Sequence, residues 1–311
     1  MTTDFSEDTA TAAVIDSFAD CPDARLKLVL EGFVRHLHGF IREVEPTQRE
    51  WDQGITFLTE VGQRCDGANQ EFILLSDVLG VSMLVDAINN RAAVGATAST
   101  VLGPFHVEGS PPRELGADIA LADDGPRCVV RGTVRSVDGQ PLPGAVLDIW
   151  QADATGSYDI QQPGRLPEHN LRGVFTTNES GEFWFRTIVP RFYPIPEDGP
   201  VGQLLRATKR HPNRPAHIHF IGGAAGFTPV VTHLFIEGSP YLEDDAVFGV
   251  KKSLIREVQQ VDDPAQGRRY GVSNPFEVIQ FDLVLHPNPA DDVATSSAPG
   301  CLTSPPRYHE A

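Results

Sequence analysis

The segment CVVRGTVRSVDGQPLPGAVLDIW, residues Cys128 to Trp150, decides the fold. It contains two short runs rich in β-branched and apolar side chains, Cys128 to Val134 and Ala145 to Trp150. Asp138-Gly139 and Pro143-Gly144 stand between them, and such dipeptides are turn chemistry between strands. The texture continues towards the C-terminus in Glu182 to Ile188, Ala216 to Ile221, Pro229 to Ile236 and Phe276 to Leu285. Several short strands punctuated in this way predict a mainly β architecture, an antiparallel β-sandwich spanning residues 116–286.

Upstream the period changes from two to that of a helix. Leu26, Leu30, Phe33, Leu37 and Ile41 recur at helical spacing after a candidate Asp23 cap. Thr47 to Glu50 fits a capping box, with Trp51, Ile55, Leu58 and Val61 on one stripe behind it. A third helix is expected to carry Phe72, Leu75, Leu79 and Met83. These elements and a linker make an N-terminal helical domain over 23–115, preceded by an acidic, flexible N-terminus, 1–22. The Pro- and Ser-rich end, 287–311, has little to bury and is expected to be a disordered tail.

The 311-residue chain carries a formal net charge of -17 with no compensating basic run, which argues against nucleic acid or an anionic membrane as partner. Cys21, Cys65, Cys128 and Cys301 are far apart and form no CxxC, so neither a disulfide framework nor a thiolate zinc site is indicated. The first residues lack a basic and apolar leader. The most apolar window, Phe72 to Ile88, includes Asp77 and Asp86 and is too short to span a bilayer. A soluble, cytoplasmic protein is expected.

The sharpest chemical feature is Arg214-Pro215-Ala216-His217-Ile218-His219-Phe220. On a strand His217 and His219 face one way and Ile218 and Phe220 the other, so two imidazoles can share one metal. Paired surface histidines are the alternative. Two of the five tyrosines lie in unusual settings: Tyr158 in Gly-Ser-Tyr-Asp, and Tyr193 opening Tyr193-Pro194-Ile195-Pro196, where two prolines stiffen the loop. Each alone could be a packed core tyrosine. Two phenolates with two imidazoles would instead suit ferric iron, and would suit zinc or copper(I) poorly.

Four segments carry a specific resemblance: LGPFHVEGSP (102–111), PLPGAVLDIWQADATGSYD (141–159), FYPIPEDGPVG (192–202) and RPAHIHF (214–220). They resemble the intradiol ring-cleavage dioxygenases, and the likeness extends over most of 20–286. QEFILLSDVLGVSM (70–83) is similar to the catechol and hydroxyquinol branch. The stretch VVTHLFIEGSPYLEDDAVFGVKKSLI (230–255) is closer to the hydroxyquinol enzymes, because catechol and chlorocatechol enzymes usually carry Gln at the position of His233.

The resemblance implies one Fe(3+) per subunit held by Tyr158, Tyr193, His217 and His219, with Arg214 beside it. It implies that Tyr193 leaves the metal and acts as a base when a diol binds, and that Arg214 stabilises charge during oxygen attack; a rim salt bridge is the alternative for Arg214. It places Leu74, Asp77, Val101, Leu102, Gly103, Pro104 and Phe105 on the pocket wall. Asp77 would bond the extra hydroxyl of hydroxyquinol, against the default of a solvated helix face. His233 is either a substrate contact or a satisfied strand histidine. The implied activity is cleavage of hydroxyquinol by O2 to 3-hydroxy-cis,cis-muconate, the enol of maleylacetate. Catechol or chlorocatechol cleavage to cis,cis-muconates is the nearest alternative, and a non-catalytic β-sandwich binding module the remote one. The family also forms homodimers through the N-terminal helices, and some members hold a lipid there.

Overall fold

The computed structural model describes residues 4–66, 70–91, 94–122 and 125–288. The chain divides after Gln63 into two compact units. The tail from residue 289 onwards lies outside the described residues.

The first unit holds α1 (Ala10–Asp16), α2 (Ala24–Val44) and α3 (Gln48–Gln63). The Asp23 carboxylate accepts from the amides of Arg25 and Leu26 at 2.8 and 2.9 Å and starts α2. Thr47 and Glu50 form the capping box that starts α3, with Thr47 N donating to Glu50 at 2.8 Å and Glu50 N to Thr47 at 3.3 Å. Within the segment expected as a flexible N-terminus, 1–22, stands the short helix α1. Arg42 of α2 holds that segment by donating to Glu7 O at 2.7 Å and Thr11 Oγ1 at 2.9 Å.

The second unit opens with α4 (Glu71–Val78) and α5 (Val81–Asn89), where one helix was expected. Gly80 lies in the left-handed region at φ 72° and separates the two. Both helices are bound to the strand-bearing part rather than grouped with α1–α3. Glu71 accepts from Val201 N at 3.0 Å, Arg210 donates to Val78 O at 2.5 Å, and Lys251 donates to Asp86 at 3.0 Å.

The strands are β1 (Arg127–Ser136), β2 (Val146–Gln151), β3 (Arg172–Thr176), β4 (Glu182–Ile188), β5 (Tyr193–Pro194), β6 (Asn213–Arg214), β7 (His217–Gly223), β8 (Val230–Ile236), β9 (Ile255–Arg256), β10 (Gln259–Val261), β11 (Phe276–Gln280) and β12 (Leu283–Leu285). Helix α6 (Pro200–Ala207) lies between β5 and β6, and α7 (Pro264–Tyr270) precedes β11. One sheet runs β10-β11-β1-β12 with β4 also on β1, and the other runs β3-β2-β7-β8-β9. The sandwich is therefore mixed rather than purely antiparallel, since β1 pairs parallel with β11 and β12, and β8 parallel with β9. The single run expected at Phe276 to Leu285 is two strands, broken where Phe281 N turns to bond Arg131 O at 2.9 Å.

Strand alternation sets the site. Leu147, Ile149, Ile218, Phe220 and Leu234 of the second sheet meet Val130, Phe183, Phe185, Ile279 and Leu283 of the first in one dry core. The opposite parity of β2, β7 and β8 carries Trp150, His217, His219 and His233 on the other face. Among the described residues no helix is long and apolar enough to cross a membrane.

Candidate metal and active site

Four donor atoms close a ring on that outer face. Tyr158 Oη lies 3.0 Å from Tyr193 Oη and 3.0 Å from His219 Nε2, while His217 Nε2 lies 3.2 Å from Tyr193 Oη and 3.2 Å from His219 Nε2. All four side chains are buried. Each arrives from a locally determined element. His217 and His219 share the β7 face. Tyr158 heads a 3-10 turn, its amide donating to Gln161 Oε1 at 2.9 Å, after a loop tied by the Asp153 carboxylate to the amides of Thr155 and Ser157. Tyr193 sits on β5, whose pairing with β6 sets it opposite Arg214.

The ring fits a metal ion. Donors bonded to one ion at about 2 Å stand about 3 Å apart, as these do. His217 Nδ1–H donates to Pro215 O at 2.7 Å, which leaves the Nε2 lone pair on the ring. Burial pushes the Tyr158 hydroxyl well above its ordinary 10.0, with Tyr193 adding to the shift and Arg214 and Arg172 opposing it. Tyr193 is raised too, chiefly by burial, with Arg214 opposing. Burial first, then the Arg214 charge, keeps His217 neutral; burial first, then His233, does the same for His219. Two phenolates beside two neutral imidazoles are favourable in so dry a place only with a cation among them.

The surroundings hold these rings in place. Trp150 stacks on His219 at 4.6 Å and 12°, and Phe105 on Tyr158 at 4.5 Å and 27°. The buried Arg172 guanidinium lies 5.9 Å from the Tyr158 ring centroid and bonds Asp159 at 2.7 Å. Gly103, at φ 78°, presents its backbone to His219, where an added Cβ would stand 3.0 Å from Cε1. Arg214 is buried, with Nη1 3.3 Å from His217 Nε2 and Nε 3.1 Å from Asp245 Oδ1. It is thus no rim residue.

Asp77 is buried on α4, contrary to the solvated-face alternative. Burial raises its carboxyl above the ordinary 3.8, opposed by a Ser82 hydrogen bond and by the Arg214 charge. Leu74 is buried on the same helix, and Leu102 and Phe105 pack with Trp150, Tyr158 and Tyr193. Val101 is half-buried and Pro104 exposed on that loop. His233 is fully buried, its Nδ1 against Thr100 Oγ1. With His217 and His219 it offers three imidazole ligand atoms within 4.8 Å of one another. Asp245, Arg172, Trp150 and Thr100 were missed from the sequence. Asp245, within Glu243-Asp244-Asp245, was the most findable, since a buried arginine requires an acidic partner.

A dry mixed sandwich presenting two phenols, two imidazoles and an arginine around one point defines the candidate site as that of a metal-binding protein. Comparison with known proteins agrees: the family model "Dioxygenase" matches residues 103–287, and "Catechol dioxygenase N terminus" matches 23–97. The chain belongs to the intradiol ring-cleavage dioxygenase family. It is 51% identical over 282 residues to a hydroxyquinol 1,2-dioxygenase of Rhizobium sp., covering 90% of this chain and 96% of that one. It is 51% identical over 285 residues to a 6-chlorohydroxyquinol 1,2-dioxygenase of Cupriavidus pinatubonensis, covering 91% and 99%. The solved hydroxyquinol 1,2-dioxygenase from Pseudomonas putida DLL-E4 superposes with a TM-score of 0.85 at 47% identity, covering 91% of this chain and 99% of that one.

Proposed function

We propose that this chain is a ferric intradiol dioxygenase that opens hydroxyquinol, benzene-1,2,4-triol, with O2. The bond between the two adjacent hydroxylated carbons breaks, and both oxygen atoms enter the product, 3-hydroxy-cis,cis-muconate, so no external reductant is needed. The observation that carries the reading is the closed ring of Tyr158, Tyr193, His217 and His219 donors with edges of 3.0 to 3.2 Å. Those four residues would hold one Fe(3+) per subunit. When bound, ferric iron supplies the Lewis acidity that makes a chelated diol reactive towards O2.

The chain's own groups do the rest. Tyr193 lies at the edge of the ring nearest Arg214, and its phenolate takes a proton from a substrate hydroxyl. Arg214, kept charged by Asp245, stabilises the negative charge that grows on the substrate during oxygen attack. Leu74, Val101, Leu102, Gly103, Pro104 and Phe105 form the wall, and Asp77 receives the third hydroxyl. The names of the two 51% identical relatives support the triol over catechol. The test is a visible spectrum, an iron assay and product analysis with hydroxyquinol, catechol and a chlorocatechol. A red phenolate-to-iron band that disappears or strongly blue-shifts in Tyr158→Phe is expected, and an unchanged band rejects the ligand set.

The reading extends to a homodimer built on the first unit. Phe33, Phe40, Trp51 and Ile55 are exposed there, a set of apolar groups that water disfavours. A lipid bound among these side chains is the second occupant the family resemblance allows. Among the described residues Cys21 and Cys128 are free thiols, which fits a cytoplasmic, reducing compartment.

A further inference from the structure

Two buried imidazole nitrogens beside the ring have no hydrogen-bond partner among the described residues: His219 Nδ1 and His233 Nε2. Such orphans are rare in a packed interior and require an explanation. They belong to facing residues. The register of β7 and β8 sets His219 directly opposite His233, and the two ring centroids are 4.2 Å apart.

The bonds around each ring fix what its orphan can do. His219 turns Nε2 to the ring of donors, 3.0 Å from Tyr158 Oη. With a ligand lone pair on Nε2, the single proton of the neutral imidazole resides on Nδ1, a donor without an acceptor. His233 meets Thr100 Oγ1 through Nδ1. If Nδ1–H donates to that hydroxyl, Nε2 carries the lone pair and is an acceptor without a donor. The two orphans are then complementary. The other tautomer of His233 would bury two N–H donors beside each other with nothing to receive either. Stacking on Trp150 holds the plane of the His219 ring but does not decide which nitrogen bears its proton.

We propose that His233 is a positioning residue for His219: held by Thr100 as the Nδ1–H tautomer, it accepts the Nδ1–H of His219 through one bridging water. It thereby fixes the tautomer and orientation of a metal ligand. Although its nitrogen lies within 4.8 Å of the neighbouring imidazole donors, it is a support and not a ligand. The inference rests on the reading that the four-donor ring holds the metal. Partners of this kind on a ligating histidine are typically worth ~10–100-fold in metal affinity.

The test uses the full chain loaded with Fe(III), or with closed-shell Ga(III) for NMR. An excess of chelator strips the iron, and its loss is followed at the visible band in wild type, His233→Leu, His233→Gln and Thr100→Val. His233→Leu is expected to lose iron about 10–100-fold faster. His233→Gln, whose amide oxygen can accept, should stay close to wild type, with Thr100→Val in between. In the Ga(III)-loaded wild type, 15N spectra should place the His233 proton on Nδ1, a signature that simple packing does not set. A proton on Nε2, or wild-type iron retention in His233→Leu, overturns the proposal. Should His233→Leu fail to fold, Thr100→Val and the tautomer measurement decide. If wild type binds neither ion, the four-donor reading itself fails.

Discussion

Arg214 and Asp245 form a buried ion pair, Nε to Oδ1 at 3.1 Å and Nη2 to Oδ2 at 3.3 Å, with the arginine's remaining Nη1 3.3 Å from His217 Nε2. The carboxylate is itself fixed by the Gly249 amide at 2.9 Å. Asp245 therefore aims a desolvated cation at the four-donor ring, as the proposed role of Arg214 needs. Removing one member of a buried pair strands the other, at about 3–5 kcal/mol. Asp245→Ala is expected to lower the free energy of unfolding by that amount, read as a lower denaturant midpoint, and to reduce kcat. An unchanged midpoint would mean that Arg214 has another partner.

Gly103 brings its backbone against His219 in a left-handed conformation, φ 78°. A side chain there is strained by about 1–3 kcal/mol and would also press on the imidazole. Gly103→Ala is expected to lower both thermal stability and iron content, whereas Gly139→Ala, also at positive φ but with open space around its Cβ, should lower stability alone. Equal iron content in the two variants would count against the close approach.

The three buried histidines give the metal-free protein a defined pH dependence. Burial holds His217, His219 and His233 well below the ordinary 6.5. Below pH 6.5 the unfolded chain takes up protons that the folded chain refuses, so stability is retained above that value and lost as pH falls beneath it. Each such group contributes about 1.4 kcal/mol per pH unit, up to about 4 for three. Urea midpoints of metal-free protein at pH 7.5, 6.5 and 5.5 should show a shallow step and then a steep one. A flat profile would mean that the imidazoles charge freely in the fold.

Light scattering on the intact chain is expected to report about twice 33.9 kDa. Replacing the exposed Phe33 and Trp51 by Glu should shift it towards the monomer mass. A wild-type monomer across working concentrations would remove the dimer.

Legibility followed the range of each interaction. The caps at Asp23 and Thr47–Glu50 were readable because they span two or three residues. Strand parity likewise put His217 and His219 on one face. The parallel pairing of β1 with β11 and β12 was hidden, because it joins residues about 150 positions apart and leaves no local period. Asp77 read as a lone acidic residue on an apolar helix, and only the tertiary packing of α4 shows it buried. Arg172, between Asp159 and the Tyr158 ring, left no sequence signal, since a core arginine is indistinguishable from a surface one until its strand is placed.

The substrate preference can be tested through Asp77. Its carboxyl is buried on α4, close enough to Arg214 and Asp245 to feel both charges, and burial raises it above the ordinary 3.8. A buried polar group left without its partner costs about 1–3 kcal/mol, which corresponds to roughly ten- to a hundred-fold in kcat/KM. Ser82 already bonds Asp77, and hydroxyquinol can satisfy the acceptor capacity left over with its third hydroxyl, which catechol cannot. The wild-type chain is therefore expected to cleave hydroxyquinol far faster than catechol or a chlorocatechol. Asp77→Leu should collapse that ratio from both sides, slowing hydroxyquinol by removing the partner of its third hydroxyl and speeding catechol by removing the penalty that catechol meets. Wild-type preference for catechol would overturn the substrate assignment while leaving intradiol chemistry intact. An unchanged ratio in Asp77→Leu, with the iron band retained, would move the origin of selectivity from α4 to the loop bearing Leu102 and Phe105.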